Sequence, residues 1–407
     1  MKKTSKLVSL ALSSLATLLS ITGCGDTEEL KAIAKEDLKV GMVCIGDPST
    51  STYDKNFKNG LDGAASELGL SSSQVVYKPA SGENESAKAA ATDLADNGCN
   101  VIILNSYGHQ YWADEVAMMY PGVRFVSCTG DLAETQSLPN LYNAFANIYE
   151  GRYLAGIAAG LKINELTKVG GAKEGQDPVL GYVAAYEYAE VISGYTSFYL
   201  GAKSVCPNVT MKYTVTSSWG DSEKEKAGAE ALISAGALVV SQHADTYGAP
   251  NACKTAGVPN VSYNISTKEE TPDTFLTYSR IEWAPYFKYL LNCTMNNETI
   301  KYDWTGGIKE GSVISDDIGS CAASGTEEAI AAAKSQFVEG TLHVFDTNSF
   351  TVNGEKVTTC KKTIAEQEQE CIVEDSNGAT YFAESYYRSA PYFDLSVDGI
   401  SKLSEAK

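Results

Sequence analysis

From residue 38 onward, short β-branched runs alternate with longer amphipathic stretches, and this alternation occurs in two successive series. The first series reads as strands at Leu38–Ile45, Val75–Tyr77, Val101–Leu104, Arg124–Cys128 and Leu141–Ala146. Helical patterns fall between them at about 55–68, 85–97 and 110–119. After a helix at about 150–162, the second series places strands at Val179–Ala184, Thr210–Val215, Leu238–Ser241 and Val261–Tyr263. Its helices lie near 189–203, 222–235 and 248–256. The strand runs are almost uniformly apolar, which suits parallel strands covered on both faces. Two consecutive βα series predict an α/β chain with two doubly wound parallel-sheet lobes. Ser222 with Glu225 reads as a capping-box start, and Gly236 as the glycine ending that helix. Further helices are predicted over 275–300 and 326–338, followed by a tail at 340–400 rich in Thr, Tyr and polar β-type residues.

Composition removes several functions. The chain carries 32 basic and 51 acidic residues, a net charge of −19, whereas nucleic-acid affinity rests on Lys and Arg against phosphates. Its three histidines, His109, His243 and His343, are far apart in sequence and form no local metal-ligand spacing. No metal or cofactor is expected.

The amino terminus reads as an export segment. Lys2, Lys3 and Lys6 precede an uncharged apolar run from Leu7 to Ile21, 15 residues long. A membrane-spanning helix needs about 20, so the run fits the apolar region of a signal peptide. It ends in Ile21-Thr22-Gly23-Cys24, which resembles the bacterial lipobox, a resemblance that implies lipidation of Cys24 after removal of 1–23. Removal takes three positive charges from the net −19 and leaves −22. Residues 24–37 then read as a polar tether holding the protein on the extracytoplasmic face of a cell membrane. Nine cysteines remain, an odd number, none in a CxxC motif; Cys360 and Cys371 are spaced to staple a hairpin.

Ligands of open α/β sheets bind beyond the carboxyl ends of the strands. Those ends carry Gly46-Asp47-Pro48 with Ser49–Tyr53, Asn105-Ser106-Tyr107-Gly108, Tyr186-Glu187, Ser217-Ser218-Trp219-Gly220-Asp221, Gln242-His243-Ala244-Asp245 and Asn264-Ile265-Ser266. Aromatic and neutral or acidic polar groups recur, which suits a cleft for a flat, hydrogen-bonding small molecule. The Arg/Lys cluster a phosphate would want is missing. Tyr53 reads as a loop aromatic capping a hydrophobic edge or as a ligand platform, and Trp219 as a ligand platform or a packing aromatic. Asp47, Asp221 and Asp245 read as helix caps or ligand contacts, and Asn105 and Asn264 as ligand contacts or turn residues. His243 near Asp245 lacks a nucleophile motif, so no enzyme is expected.

Taken in order, several stretches resemble the basic membrane protein (BMP) family, purine-nucleoside-binding lipoproteins of ABC importers. They are Asn105-Ser-Tyr-Gly with Tyr120-Pro-Gly-Val-Arg-Phe125, Tyr149-Glu-Gly-Arg-Tyr-Leu-Ala-Gly156, Gly201-Ala-Lys-Ser-Val-Cys-Pro-Asn208, Ser218-Trp-Gly-Asp221 and Ser241-Gln-His-Ala-Asp245. The resemblance covers roughly 38–320. It implies a type I periplasmic-binding-protein fold with a three-strand hinge: an N-terminal lobe of 38–146 and 275–320, and a C-terminal lobe of 147–274 and 321–407. It implies a purine held between Tyr53, seven residues before Gly60, and Trp219. Asn105, Tyr107, Asp245, Asp47 and Asn264 would line the cleft. Arg280 stands near a family basic residue that serves the sugar. The family's Asp two positions after Asn264 is Ser266 here, which leaves a free nucleobase as an alternative to a nucleoside. The implied protein is a monomeric solute-binding lipoprotein handing a purine to an ABC permease. A sugar or amino-acid ligand, or an adhesion or sensory role, is the alternative.

Overall fold

The computed structural model describes residues 30–133, 137–168 and 177–403. The export segment 1–23 and Cys24 lie outside the described residues.

The first lobe runs β1 (Val40–Val43), α1 (Thr52–Leu68), β2 (Val75–Lys78), α2 (Glu85–Asp96), β3 (Val101–Leu104), α3 (Gln110–Met119), β4 (Arg124–Ser127) and β5 (Leu141–Ala144). The chain then crosses into α4 (Ile148–Lys168), β6 (Val179–Ala184), α5 (Ala189–Val205), β7 (Thr210–Val215), α6 (Ser222–Ser234), β8 (Ala237–His243), α7 (Gly248–Ala256), β9 (Asn260–Tyr263) and β10 (Phe275–Ile281). It returns through α8 (Ala284–Asn296) to β11 (Asp303–Trp304), and crosses again to β12 (Val313–Ile314) and α9 (Thr326–Glu339). The tail carries two hairpins, β13 (Lys361–Ile364) with β14 (Gln367–Glu370) and β15 (Ile372–Glu374) with β16 (Thr380–Phe382), before β17 (Ile400–Lys402).

β11, β5, β4, β3, β1 and β2 form one sheet in that order, all parallel. The second sheet runs β12, β10, β9, β8, β6, β7 and β17, with β12 alone antiparallel. Alternate side chains of each strand enter opposite layers. Val40, Met42, Val101 and Ile103 pack under α1 and α8, while Val43, Ile102, Leu104 and Phe125 pack with residues of α2 and α3. In the second lobe Leu180, Tyr182, Met211 and Leu276 join α4, α5 and the tail, and Val183 and Val240 join α6 and α7.

Four sequence expectations are corrected. Residues 275–281 are a buried strand paired with β9, not the start of a helix. The helix begins after Trp283, where Pro285 occupies its first turn and needs no hydrogen-bond partner for a missing N–H. The return to the first sheet therefore falls at 282–283 rather than 275, and the third crossing between Trp304 and Val313 rather than near 320. The cap of α6 is Asp221, not Ser222: its carboxylate accepts the Lys224 N–H at 3.1 Å. Glu225 turns inward instead and accepts from the Thr246 N–H and hydroxyl at 3.2 and 2.7 Å.

Candidate functional site

α1 starts at a defined point because the Ser51 hydroxyl accepts the Asp54 N–H at 3.1 Å. That cap sets Tyr53 in the first turn, at the end of the first sheet that faces the second lobe. Tyr53 leans on Phe57, ring centroids 4.9 Å apart, and Phe57 stacks on Trp283 at 4.3 Å. Trp219 stands in the loop after β7, edge-on to Tyr186 at 5.0 Å. Its carbonyl accepts the Asp245 N–H at 2.9 Å, and the Asp245 carbonyl accepts both the N–H and the hydroxyl of Thr52. One hydrogen-bonded relay therefore joins the two aromatic-bearing loops across the cleft.

Between them lies a narrow cavity of about 20 Å³ lined by Ile45, Tyr53, Ser106, Tyr107 and Thr129 from the first lobe and Glu190, Trp219, His243, Asp245 and Tyr263 from the second. Nearly every one follows the carboxyl end of a strand, where open α/β sheets hold ligands.

Electrostatics in the cavity are muted. Burial keeps the His243 imidazole neutral, with its pKa well below the ordinary value, and Arg152 adds to this. Burial also raises the Glu190 carboxyl to about 7, opposed by Arg152 and aided by Glu83. Asp245 is pushed well above the usual carboxylate range by burial and then by Glu225, Asp54 and Glu190. A neutral carboxyl both donates and accepts. Arg152 is fully buried behind this wall, donating to the Gln242 carbonyl at 2.8 Å with its guanidinium carbon 3.5 Å from the Tyr263 ring centroid. The wall thus offers hydrogen-bond donors and acceptors with little net charge, a surface for an uncharged polar ligand.

Of the residues singled out in the sequence, Tyr53, Trp219, Tyr107 and Asp245 line this cavity. Asp47 sits in the adjoining mouth beside Trp219 and Asp245, its carboxylate accepting the Ser49 N–H and hydroxyl. Asn105 lies one layer behind: its carbonyl accepts the Ile45 N–H at 2.9 Å and its amide donates to Asp54 at 2.8 Å. Asn264 donates to Asp245 at 3.3 Å but, with Arg280, faces a separate groove on the other side of the hinge. Arg280 is paired there with Glu282 at 2.6 Å. Ser266 also opens on that groove and donates to Asp317 at 2.6 Å. Ser106, Thr129, Glu190 and Tyr263 were not singled out. Tyr263 and Thr129 directly follow or end strands, a position that would have flagged them, whereas Glu190 reaches the cavity only through the placement of α5.

Residues 38–340 match the family model described as Bmp, ABC transporter substrate-binding protein PnrA-like. A purine-binding protein of Brucella abortus is 30% identical over 290 residues, covering 69% of this chain and 76% of that one. A protein of Haloferax volcanii named as a glucose-binding component of an ABC transporter is 27% identical over 63% of this chain and 61% of its own length. Among solved structures, solute-binding proteins from Aeropyrum pernix and Conexibacter woesei superpose with TM-scores of 0.63 and 0.60. They cover 76% and 75% of this chain, and 93% and 98% of their own, at 16% and 17% identity. These two share the type I periplasmic-binding-protein fold. The chain belongs to the Bmp family of PnrA-like ABC transporter substrate-binding proteins, an extracytoplasmic family that binds solutes and catalyses no reaction.

Proposed function

We propose that the protein captures a purine nucleoside or nucleobase between Tyr53 and Trp219 and delivers it to an ABC permease. The carrying observation is that these two aromatics come from opposite lobes yet line one cavity, whose remaining walls are hydrogen-bonding and nearly uncharged. The Brucella relative, named as purine-binding, supports the same reading. Base stacking is worth about 1–3 kcal/mol per face, so two faces supply roughly 2–6 of the roughly 8 kcal/mol that micromolar binding requires. Hydrogen bonds from Asp245, Ser106, Thr129, Tyr107 and Glu190 supply the remainder and choose the base. An amino-acid ligand fits less well, because the described cavity lining holds no Arg or Lys for its carboxylate and Arg280 is paired elsewhere.

Calorimetric titration of ligand-free mature protein with adenosine, guanosine, adenine, guanine, ribose and glucose tests this. Saturable heat with a purine and none with ribose or glucose is expected. Binding of glucose alone would move the assignment to the sugar reading suggested by the Haloferax relative's name. Export and anchoring are part of the same proposal: cleavage before Cys24 and attachment of a diacylglyceryl group to its thiol through a thioether hold the chain on the outer face of the membrane. Intact-mass measurement of the membrane fraction, with Cys24→Ala released to the soluble fraction, checks it.

A further inference from the structure

The family match ends at residue 340, and the chain continues for a further 67 residues. Most of that extension packs on the second lobe: Phe345, Phe382, Tyr392 and Phe393 are buried in its core. Within it, the Glu384 carboxylate accepts the N–H groups of Tyr392 and Phe393 at 3.1 and 3.0 Å, drawing 384–393 into a closed loop. The root of that loop is held by the second lobe, while its tip reaches the first. Arg388 donates to the Asp131 carboxylate at 2.6 Å, and the Ser389 N–H donates to Asp303 at 2.6 Å. Ala390 is buried against the first-lobe core.

Two details make the Arg388 contact more than a surface ion pair. Its side chains are 20% and 12% exposed, so solvent screening is reduced. Two of the remaining four guanidinium hydrogens bond to the loop itself, from Nε to the Ala390 carbonyl at 3.1 Å and from Nη2 to the Pro391 carbonyl at 3.2 Å. The Asp131 carboxylate in turn accepts the Tyr107 hydroxyl at 3.2 and 3.3 Å, and Tyr107 lines the cavity. Arg388, Ala390 and Pro391 also wall the space of about 420 Å³ that adjoins the cavity past Tyr107 and Trp219.

We infer that the loop 384–393 is a latch between the lobes, and that Arg388 is a positioning residue acting through Asp131 on Tyr107. This rests on the reading of the cleft as the solute site. Because root and tip sit on opposite lobes, the Arg388–Asp131 contact exists only when the lobes are closed. It slows solute release and biases the ligand-free chain toward closure.

The test uses the intact mature chain with Arg388→Gln, Asp131→Asn and the double variant. Release of adenosine and guanosine is followed by stopped-flow tryptophan fluorescence, and solution scattering gives the radius of gyration without ligand. Either single variant is expected to release purine about tenfold faster, with association changed by less than about twofold, since losing one partner of a desolvated charge pair acts on dissociation. The double variant is expected to be no faster than the faster single one, which local destabilisation at two independent points would not produce. Unchanged release, or multiplied effects in the double variant, overturns the latch. Should wild-type protein bind no purine, the proposed function fails but the latch is still tested: the variants must be more open than wild type in ligand-free scattering, and equal radii overturn it. Asp131→Asn keeps the side-chain shape and carries the test if Arg388→Gln fails to fold.

Discussion

Thr52 donates both its backbone N–H and its hydroxyl to the carbonyl oxygen of Asp245, at 2.8 and 3.0 Å, across the gap between the lobes. The residue after Thr52 is the first-lobe aromatic, and Asp245 itself holds the loop bearing Trp219, so closure and the spacing of the aromatic pair share one interlobe contact. Thr52→Val keeps the β-branched shape and the N–H bond and deletes only the hydroxyl bond. One neutral hydrogen bond contributes about 0.5–1.5 kcal/mol. Purine release should therefore quicken by roughly two- to tenfold, read by stopped-flow fluorescence, with the thermal midpoint of ligand-free protein nearly unmoved. Unchanged release would mean that the hydroxyl bond does not contribute to closure.

Trp219→Ala should weaken purine binding by about 1–3 kcal/mol, measured by calorimetry, and Trp219→Phe should recover part of the loss because a ring face remains. Tyr53→Ala should cost a similar amount. Its ring is braced by Phe57 and Trp283, so the free protein should stay folded. Full affinity in either alanine variant would remove that residue from the site.

Most strands were legible because parallel strands buried on both faces read as unbroken apolar runs. Phe275–Ile281 misleads for the opposite reason: Thr277, Ser279 and Arg280 interrupt its apolar residues, so it runs into a true helix as one amphipathic stretch, and only Pro285 marks the junction. The cap of α6 shifted by one residue because Glu225 found Thr246, a partner 21 residues away that local pattern does not reveal. Tyr53, Trp219, Tyr107 and Asp245 were visible as aromatic or polar residues just past strands. Asn105 has the same signature, but its amide is consumed by Ile45 and Asp54. Glu190 and the Arg388 loop depend on how two lobes and a tail oppose one another, and neighbouring residues carry no trace of that.

Glu190 gives a stability prediction whose sign follows from its shift. The carboxyl rises from 4.5 to about 7, chiefly through burial, with His243, Arg152 and Glu83 as its charged or titratable neighbours. The folded state thus binds this proton more tightly than the unfolded one. The associated stability is fully present below about pH 4.5 and is lost as pH rises through about 7. Glu190→Gln removes the buried charge. In ligand-free protein it should match wild type near pH 5 and exceed it by on the order of 2 kcal/mol near pH 8. Thermal unfolding of both proteins across that range checks the difference, which cancels the titration of groups not coupled to Glu190. A variant equally stable or less stable at pH 8 would show that Glu190 is solvated or paired rather than buried and strained toward neutrality.

The backbone of α4 meets that of α5 at glycines, and this contact supports the second-lobe wall of the cleft from behind. A Cβ on Gly156 would overlap the Phe198 carbonyl oxygen, and one on Gly201 would overlap the Tyr153 carbonyl oxygen. Neither obstacle is the end of a flexible side chain, so the helices themselves must separate. In an exposed helix, Gly→Ala would stabilise by removing backbone entropy from the unfolded chain. Here the overlap reverses the sign. Overpacking of a tight interface costs about 1–3 kcal/mol, and Gly156→Ala should lower the thermal midpoint accordingly while leaving purine affinity of the folded fraction close to wild type. α4 also carries Arg152, one turn before Gly156, beneath Tyr263. Affinity that falls with stability would therefore mean that the helix shift travels to the cavity wall. A rise in midpoint would mean that the helices are not in backbone contact at all.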